Sequence, residues 1–242
     1  MTEISQILAL KEHRPFPYPN SPWAFYQEWK EVIFMHWPVP PEIMQKLLPD
    51  NLTVDTYGGQ AYISLVAFKA KNSRPRLAPP VSLISDFLEL NIRTYVKRAD
   101  RPGIYFLNME ADKTLSSFIF RNLTGFPYYP ANMQYITGQL SSVDENKHNY
   151  CDLEFELPSH SYSRSELDSW LTERYCVYLN RINKLWRYDV HHVEWPLQNL
   201  KIKELNLKYQ FGDFVLKDPK PPLMHYSIGV EVLGWLPKII ST

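Results

Sequence analysis

The stretch Leu83–Val96 constrains the fold more than any other part of the chain. In its second half Leu88, Leu90, Ile92 and Val96 fall on one side, and Glu89, Asn91, Arg93 and Tyr95 on the other. A period of two means a strand with one apolar face. The opposite face carries an acid, an amide, a guanidinium and a phenol in a row. Facing water, that row is an ordinary solvated sheet face; facing a cavity, it lines a polar pocket. Glu89 and Arg93 are about 13 Å apart along a strand, too far to pair directly, with Asn91 between them. Such a row can orient a small polar or carboxylate ligand, Arg93 acting as a forked donor and Glu89 as acid or base. On the next predicted strand, 104–111, Asn108 and Glu110 share a face and are expected to join the site. The competing reading is a buried ion-pair ladder that fixes strand register, or simple exposure.

The rest of the chain surrounds this strand with hairpins and short helices. Residues 1–22 form a lead-in: a short helix over 2–11, then the proline-rich extended segment His13–Pro22. Ser21-Pro22 predicts a helical turn carrying Trp23, Tyr26 and Trp29, followed by a buried strand over 32–37. Pro40-Pro41 opens a helix with Ile43, Met44, Leu47 and Leu48 inward, and Pro49 ends it. Strands over 53–57 and 60–69 flank a Gly58-Gly59 turn. Lys69–Pro80, with Lys71, Arg74 and Arg76, is either a lid over an anionic ligand or a solvated loop. Asp112 caps a helix over 113–123 whose inner face holds Leu115, Phe118, Ile119 and Asn122, and Gly125 terminates it. Residues 133–141 and 149–157 read as a hairpin. Ser163-x-x-Glu166 is a capping box. Strands follow over 174–179 and 184–193, and 196–205 is a short helix or a turn. Asp218–Pro222 is a rigid loop, and the strand over 226–233 puts Tyr226, Ile228, Val230 and Val232 on one face. The pattern gives roughly nine to eleven strands and three to five helices. The fold class is therefore α+β: one domain over 1–242, with a mostly antiparallel sheet closing on itself. Leu88, Leu90, Ile92 and Val96 are expected to pack beneath helices, with the polar row facing the barrel interior.

Several function classes lose support. The 26 basic and 26 acidic residues cancel, so no global field favours nucleic acid or an anionic membrane. No apolar run reaches 18 residues, and no secretory leader is expected at the N-terminus. Cys151 and Cys176 read as reduced buried thiols, which places the chain in the cytoplasm. The seven histidines, His13, His36, His148, His160, His191, His192 and His225, show no ligand spacing, so no metal site and no cofactor is expected. His191 and His192 should face opposite sides of a strand. Nucleophile-elbow, phosphate-loop and dinucleotide motifs are absent.

The residues around the polar strand also carry a resemblance. Phe34–Pro40, Leu48–Leu52, Phe87–Val96 and Pro102–Phe106, with Leu171–Tyr175 and His191–Leu197, resemble the uncharacterised bacterial YqjF-like family within the acetoacetate-decarboxylase-like superfamily. The match runs from about Trp23 to Leu205. The resemblance implies a cone-shaped closed β-barrel flanked by helices, enclosing a small-molecule cavity. Acetoacetate decarboxylases use a lysine that forms a Schiff base, its pKa lowered by an adjacent lysine at a helix end. The corresponding stretch here is Asn122-Leu123-Thr124-Gly125-Phe126-Pro127. It replaces nucleophile and tuner by Asn122 and Leu123, and leaves Arg121 as the nearby cation. The candidate ligand-binding set is thus Glu89, Asn91, Arg93, Asn108, Glu110, Arg121 and Asn122. The expected function is binding, with or without turnover, of a small organic acid or carbonyl compound without a Schiff-base lysine. The alternatives are a non-catalytic ligand sensor and a scaffold whose barrel is filled by its own aromatics. A homo-oligomer is compatible with the chain.

Overall fold

The computed structural model describes residues 3–158, 162–217 and 220–240; His160, Asp218 and Pro219 lie outside them. In chain order the elements begin with α1 (Glu3–Ala9), β1 (Phe25–Val39), α2 (Pro41–Lys46), β2 (Thr53–Val54), β3 (Ala61–Pro75), α3 (Ser82–Ser85), β4 (Phe87–Arg98) and β5 (Arg101–Ala111). Next come α4 (Thr114–Thr124), β6 (Tyr128–Pro130), β7 (Asn132–Ile136), β8 (Gln139–Asp144), β9 (Asn149–Glu156) and α5 (Glu166–Thr172). The last are β10 (Cys176–Arg181), β11 (Lys184–His191), β12 (Leu197–Asn199), β13 (Lys201–Phe211), β14 (Phe214–Lys217), β15 (Leu223–Gly234) and β16 (Lys238–Ile240). The fold is α+β and dominated by sheet.

The larger sheet runs β12-β15-β1-β3-β4-β5-β10-β11-β16, and β11 pairs again with β15. The pairing therefore returns on itself through a ring of seven strands, β15-β1-β3-β4-β5-β10-β11. Its ladders are antiparallel except β5/β10. The seam is narrow: Val190↔Gly234 and His191↔Leu233 join β11 to β15, and the Trp235 amide just beyond β15 donates to the Asp189 carbonyl at 3.0 Å. A second, five-stranded sheet, β14-β13-β9-β8-β7, lies against the outside of the ring.

Two layers of core follow from this arrangement. Ile33, Met35, Ile63, Leu65, Leu90 and Ile92 leave the ring outward and meet Leu140, Leu153, Ile202 and Leu207 of the second sheet. Val32, Phe34, Val66, Phe68 and Met109 point inward. Strands β1 and β3 are thus buried on both faces over 32–37 and 63–68, which is why those stretches read as nearly continuous apolar runs, whereas β4, also buried, keeps a polar row on its inner face. The expected helical cover over Leu90 and Ile92 is replaced by this second sheet. Val96 instead packs with Leu48 and Leu52 after α2. The helices are short, and α4 is the longest at 11 residues.

Other expectations change for identifiable reasons. Trp23–Trp29 is not a helical turn; its apolar residues belong to β1 and the segment leading into it. Lys69–Pro75 is strand, with Lys69 paired to Glu31 and Lys71 to Asp86, so only the part beyond Pro75 is a loop. The α5 N-cap is Ser165 with Asp168 closing the capping box, in place of Ser163 and Glu166. Residues 197–211 form β12 and β13 instead of a helix or turn. On β15 the alternation breaks: Ile228 is exposed, and Gly229 has φ of 120°. A Cβ on Gly229 would lie 2.0 Å from the Trp29 carbonyl oxygen, so only glycine permits this approach of β15 to β1.

Candidate functional site

The ring encloses a cavity of about 280 Å³. Every ring strand contributes to its wall: Phe34 from β1, Val66 from β3, Arg93 from β4, Phe106 from β5, Val177 from β10, Val190 from β11 and Val232 from β15. The inner side of α4 and Tyr128 of β6 complete it. Most of the lining is aromatic or aliphatic, with few polar groups, a distribution common to small-molecule sites.

Glu89, Asn91 and Arg93 all line this cavity. The apolar demand of the second sheet forces Leu90 and Ile92 outward, so the pleat turns the odd-numbered residues of β4 inward. Asn108 and Glu110, expected to join them, are on the other side of the sheet. The register shifts between the pairs Ile92↔Asn108 and Arg93↔Phe106, leaving Leu107 as an extra residue on β5. This bulge reverses the parity of β5. Ile104 and Phe106 before it, and Met109 after it, face the cavity, whereas Asn108 and Glu110 pass between the sheets. There the Glu110 carboxylate accepts from Ser142 Oγ (2.5 Å), Asn108 Nδ2 (2.8 Å) and Tyr209 OH (3.1 Å). Lys147 Nζ donates to Asn108 Oδ1 at 2.9 Å.

Arg121 and Asn122 also lie outside the cavity wall. The inner face of α4 carries Ser116, Ser117 and Phe120 instead of Leu115, Phe118 and Asn122. Arg121 is exposed with its guanidinium 5.1 Å from the Tyr129 ring centroid, and Asn122 Nδ2 donates to the Phe118 carbonyl at 2.7 Å. Leu123, at the other position compared with the lysine pair, does reach the cavity.

Burial dominates the electrostatics of the polar row. Glu89 is pushed up to about 7 by desolvation, although Tyr128, Asn91 and Arg93 all favour its charged form. Tyr128 OH donates to its Oε2 at 2.7 Å, and Asn91 Nδ2 to its Oε1 at 3.1 Å. Burial lowers Arg93, partly offset by its hydrogen-bonded neighbour Tyr95 and by Glu89. Among the described residues no carboxylate lies within 4.0 Å of the Arg93 guanidinium. Arg93 Nε and Asn91 Oδ1 are both buried without a hydrogen-bond partner.

Arg174, Tyr128 and His192 are among the cavity residues that the sequence reading missed. Arg174 enters between α5 and β10; its Nη1 donates to Asp55 Oδ2 at 2.7 Å and its Nε to the Trp170 carbonyl at 2.7 Å, while Nη2 has no partner. Its signal was a charge set between Trp170-Leu171 and Tyr175-Cys176. Tyr128 was read only as part of a rigid aromatic connector. His192 lines the cavity, whereas His191 faces away and makes a contact from Nε2 to the Ile7 carbonyl oxygen at 2.8 Å. Beyond Arg93, the Tyr95 hydroxyl meets Ser64 Oγ at 2.7 Å, and Ser64 Oγ meets His36 Nδ1 at 2.7 Å. Among the described residues no group of three or more His, Cys, Asp or Glu side chains is arranged to hold a metal ion.

Comparison with known proteins gives consistent matches. The model of the DUF2071 family, described as an uncharacterized conserved protein, matches residues 26–231. The uncharacterized protein YqjF of Bacillus subtilis (strain 168) is 36% identical over 225 residues, covering 90% of this chain and 93% of that protein. An acetoacetate decarboxylase-like enzyme from Sphingomonas wittichii RW1 superposes with a TM-score of 0.59 at 15% identity, covering 95% of this chain and 98% of that one. The enduracididine biosynthesis enzyme MppR complexed with pyruvate gives a TM-score of 0.59 at 9% identity, covering 91% of each chain. At these identities the structural likeness concerns the fold.

Proposed function

The chain belongs to the DUF2071 family of uncharacterized conserved proteins, and from that premise we propose that it binds a small organic carboxylate in the ring cavity. The observation that carries this reading is Arg93. A buried guanidinium is costly unless an anion or full hydrogen bonding compensates it. Here Nε is unpartnered and the carboxylate nearest in sequence, Glu89, is held by Tyr128 and Asn91. A ligand carboxylate would supply the missing acceptor in forked geometry. Arg174 Nη2 offers a second donor, and the aromatic wall accepts an apolar body. We read the seven-strand ring as a closed barrel around this site. Its open interior weighs against a scaffold filled by its own aromatics.

Glu89 supplies the chemistry of the reading. A carboxyl near 7 is partly protonated at neutral pH, so it can give or take a proton at a carbon beside a carbonyl or hydroxyl. Among the described residues no lysine lines the cavity, which supports acid–base chemistry without an imine. The sparse polar lining supports a second reading, a binding module without turnover. Pyruvate bound to a structural neighbour makes small keto acids the first ligands to try.

The test combines thermal shift and turnover against a panel of small keto and hydroxy acids, with borohydride trapping and intact mass. The reading expects stabilisation by acids but not by their amides, loss of that stabilisation in Arg93→Ala, and no covalent adduct. Turnover lost in Glu89→Gln would select the enzyme; binding without turnover would select the sensor. A lysine adduct, or equal stabilisation by acids and amides, would overturn the reading.

A further inference from the structure

The cavity wall reaches exposed surface at Pro75 and Leu123. Two segments flank that opening. Every residue from Pro75 to Leu83 is exposed, Leu77 at 96%, with Val81 and Leu83 beside it. Across from them α4 turns Leu115, Phe118 (66%) and Leu123 (67%) outward. The segments are tied together: Lys113 Nζ donates to the Ser82 carbonyl at 3.0 Å, and Ser116 Oγ to the Ile84 carbonyl at 3.2 Å. Exposed apolar side chains thus collar one opening, where a soluble surface normally scatters them singly.

The charge on this collar is one-sided although the whole chain is neutral. Residues 71–84 and 113–124 contain Lys71, Arg74, Arg76, Lys113 and Arg121, and no carboxylate. Of the flanking acids Asp86 offsets Lys71, and Asp112 Oδ1 accepts from the Leu88 amide, so Arg74, Arg76, Lys113 and Arg121 stand against Asp112 and the collar keeps a positive excess. A face that is both apolar and cationic complements an anionic lipid surface, where apolar side chains enter the acyl boundary and cations meet headgroup phosphates.

We propose that this collar docks the protein on an anionic phospholipid bilayer, with the cavity mouth facing the lipid. Among the described residues no helix is long and apolar enough to cross a membrane, so the contact is peripheral. A second copy of this chain fits the face less well, because a two-fold contact sets the same cations against each other. The inference stands on the surface alone and survives whatever the cavity binds.

Vesicle co-sedimentation of the full chain tests it. The probes are vesicles of phosphatidylcholine alone and of phosphatidylcholine mixed with phosphatidylserine. The protein should sediment with the mixed vesicles, detach at high salt, and stay in solution with phosphatidylcholine alone. Arg76→Glu and Lys113→Glu should each weaken binding by at least about fivefold, the weight of one cation near such a surface. Leu77→Glu with Phe118→Glu should abolish binding; both side chains are exposed, and an unchanged melting curve verifies folding. Lack of partitioning onto the mixed vesicles, or partitioning indifferent to salt and to these variants, would overturn the proposal. So would a dimer in solution that the Leu77→Glu, Phe118→Glu variant dissociates, because the face would then be a protein interface.

Discussion

Glu89 and Glu110 sit on neighbouring strands, and their chemical surroundings are nearly twins. Each is buried, each is pushed up to about 7 by desolvation, and each is held by an asparagine two residues away and by a tyrosine hydroxyl. What separates them is one extra residue, Leu107. On the Glu110 side Ser142 adds a further donor, and the group is sealed between two sheets among Leu207, Tyr209 and Cys151. On the Glu89 side the neighbouring Asn91 Oδ1 and Arg93 Nε lack partners, and the wall opens on a cavity. The difference teaches that a perturbed carboxyl does not by itself mark a site. The mark is unmet hydrogen bonding facing a space that a ligand can fill.

Truncation should separate the pair most sharply. Glu110→Ala strands two hydroxyls and an amide in a sealed interior, and a stability loss of about 3–5 kcal/mol is expected from urea denaturation. Glu89→Ala should cost about 1–3 kcal/mol, since water entering the cavity can satisfy Tyr128 and Asn91. Equal losses would erase the distinction. Next in size, Arg93→Ala should reduce carboxylate affinity by tens- to hundredfold, the worth of a charged hydrogen bond at roughly 1.5–3 kcal/mol, with little loss of stability. Arg174→Ala should instead destabilise, because it leaves Asp55 without its ion-pair partner. Calorimetric titration and melting on the same samples read both.

Proton linkage sharpens the contrast further. Between about 4.5 and about 7 the native state holds a proton on Glu110 that the unfolded chain has lost, so stability falls as pH rises through that window. Glu110→Gln should remove a fall of about 2 kcal/mol between about pH 5 and 7. Glu89→Gln should flatten stability similarly but also change ligand binding. An arriving carboxylate favours protonated Glu89, so affinity in the native chain should drop by up to about tenfold per pH unit above about 7. That dependence should vanish in Glu89→Gln and persist in Glu110→Gln.

How much of this was legible in the sequence follows from which interactions are local. The alternation of β4 was readable because its two faces meet different surroundings, apolar sheet outside and cavity inside. The bulge at Leu107 was not, since Phe106-Leu107-Asn108 contains no glycine or other local mark of an extra residue. Hence Asn108 and Glu110 were grouped with the wrong face. Residues 133–141 and 149–157 read as one hairpin; the structure divides the first of these strands at Thr137-Gly138 into β7 and β8, and their packing against the outside of the ring depends on β13, whose start read equally as helix or turn. In α4 apolar residues occupy both sides, Leu115 and Phe118 as well as Ile119 and Phe120, so helical periodicity did not choose the inward face. Two small serines fill that face against α3. Arg174 was visible only as a charge among apolar residues, and its role became apparent once β10 joined the ring.

The central claim is that Arg93 Nε–H is an unused donor awaiting a carboxylate, and arginine side-chain NMR reads it directly. In a ¹⁵N-labelled sample the Nε–H resonance assigned to Arg93 by its loss in Arg93→Lys should move saturably as a small keto acid is added. The matching amide should leave it in place. Arg174 Nε–H, already donated to the Trp170 carbonyl, should move little. Saturable binding of the acid with the Arg93 resonance unmoved would contradict the account.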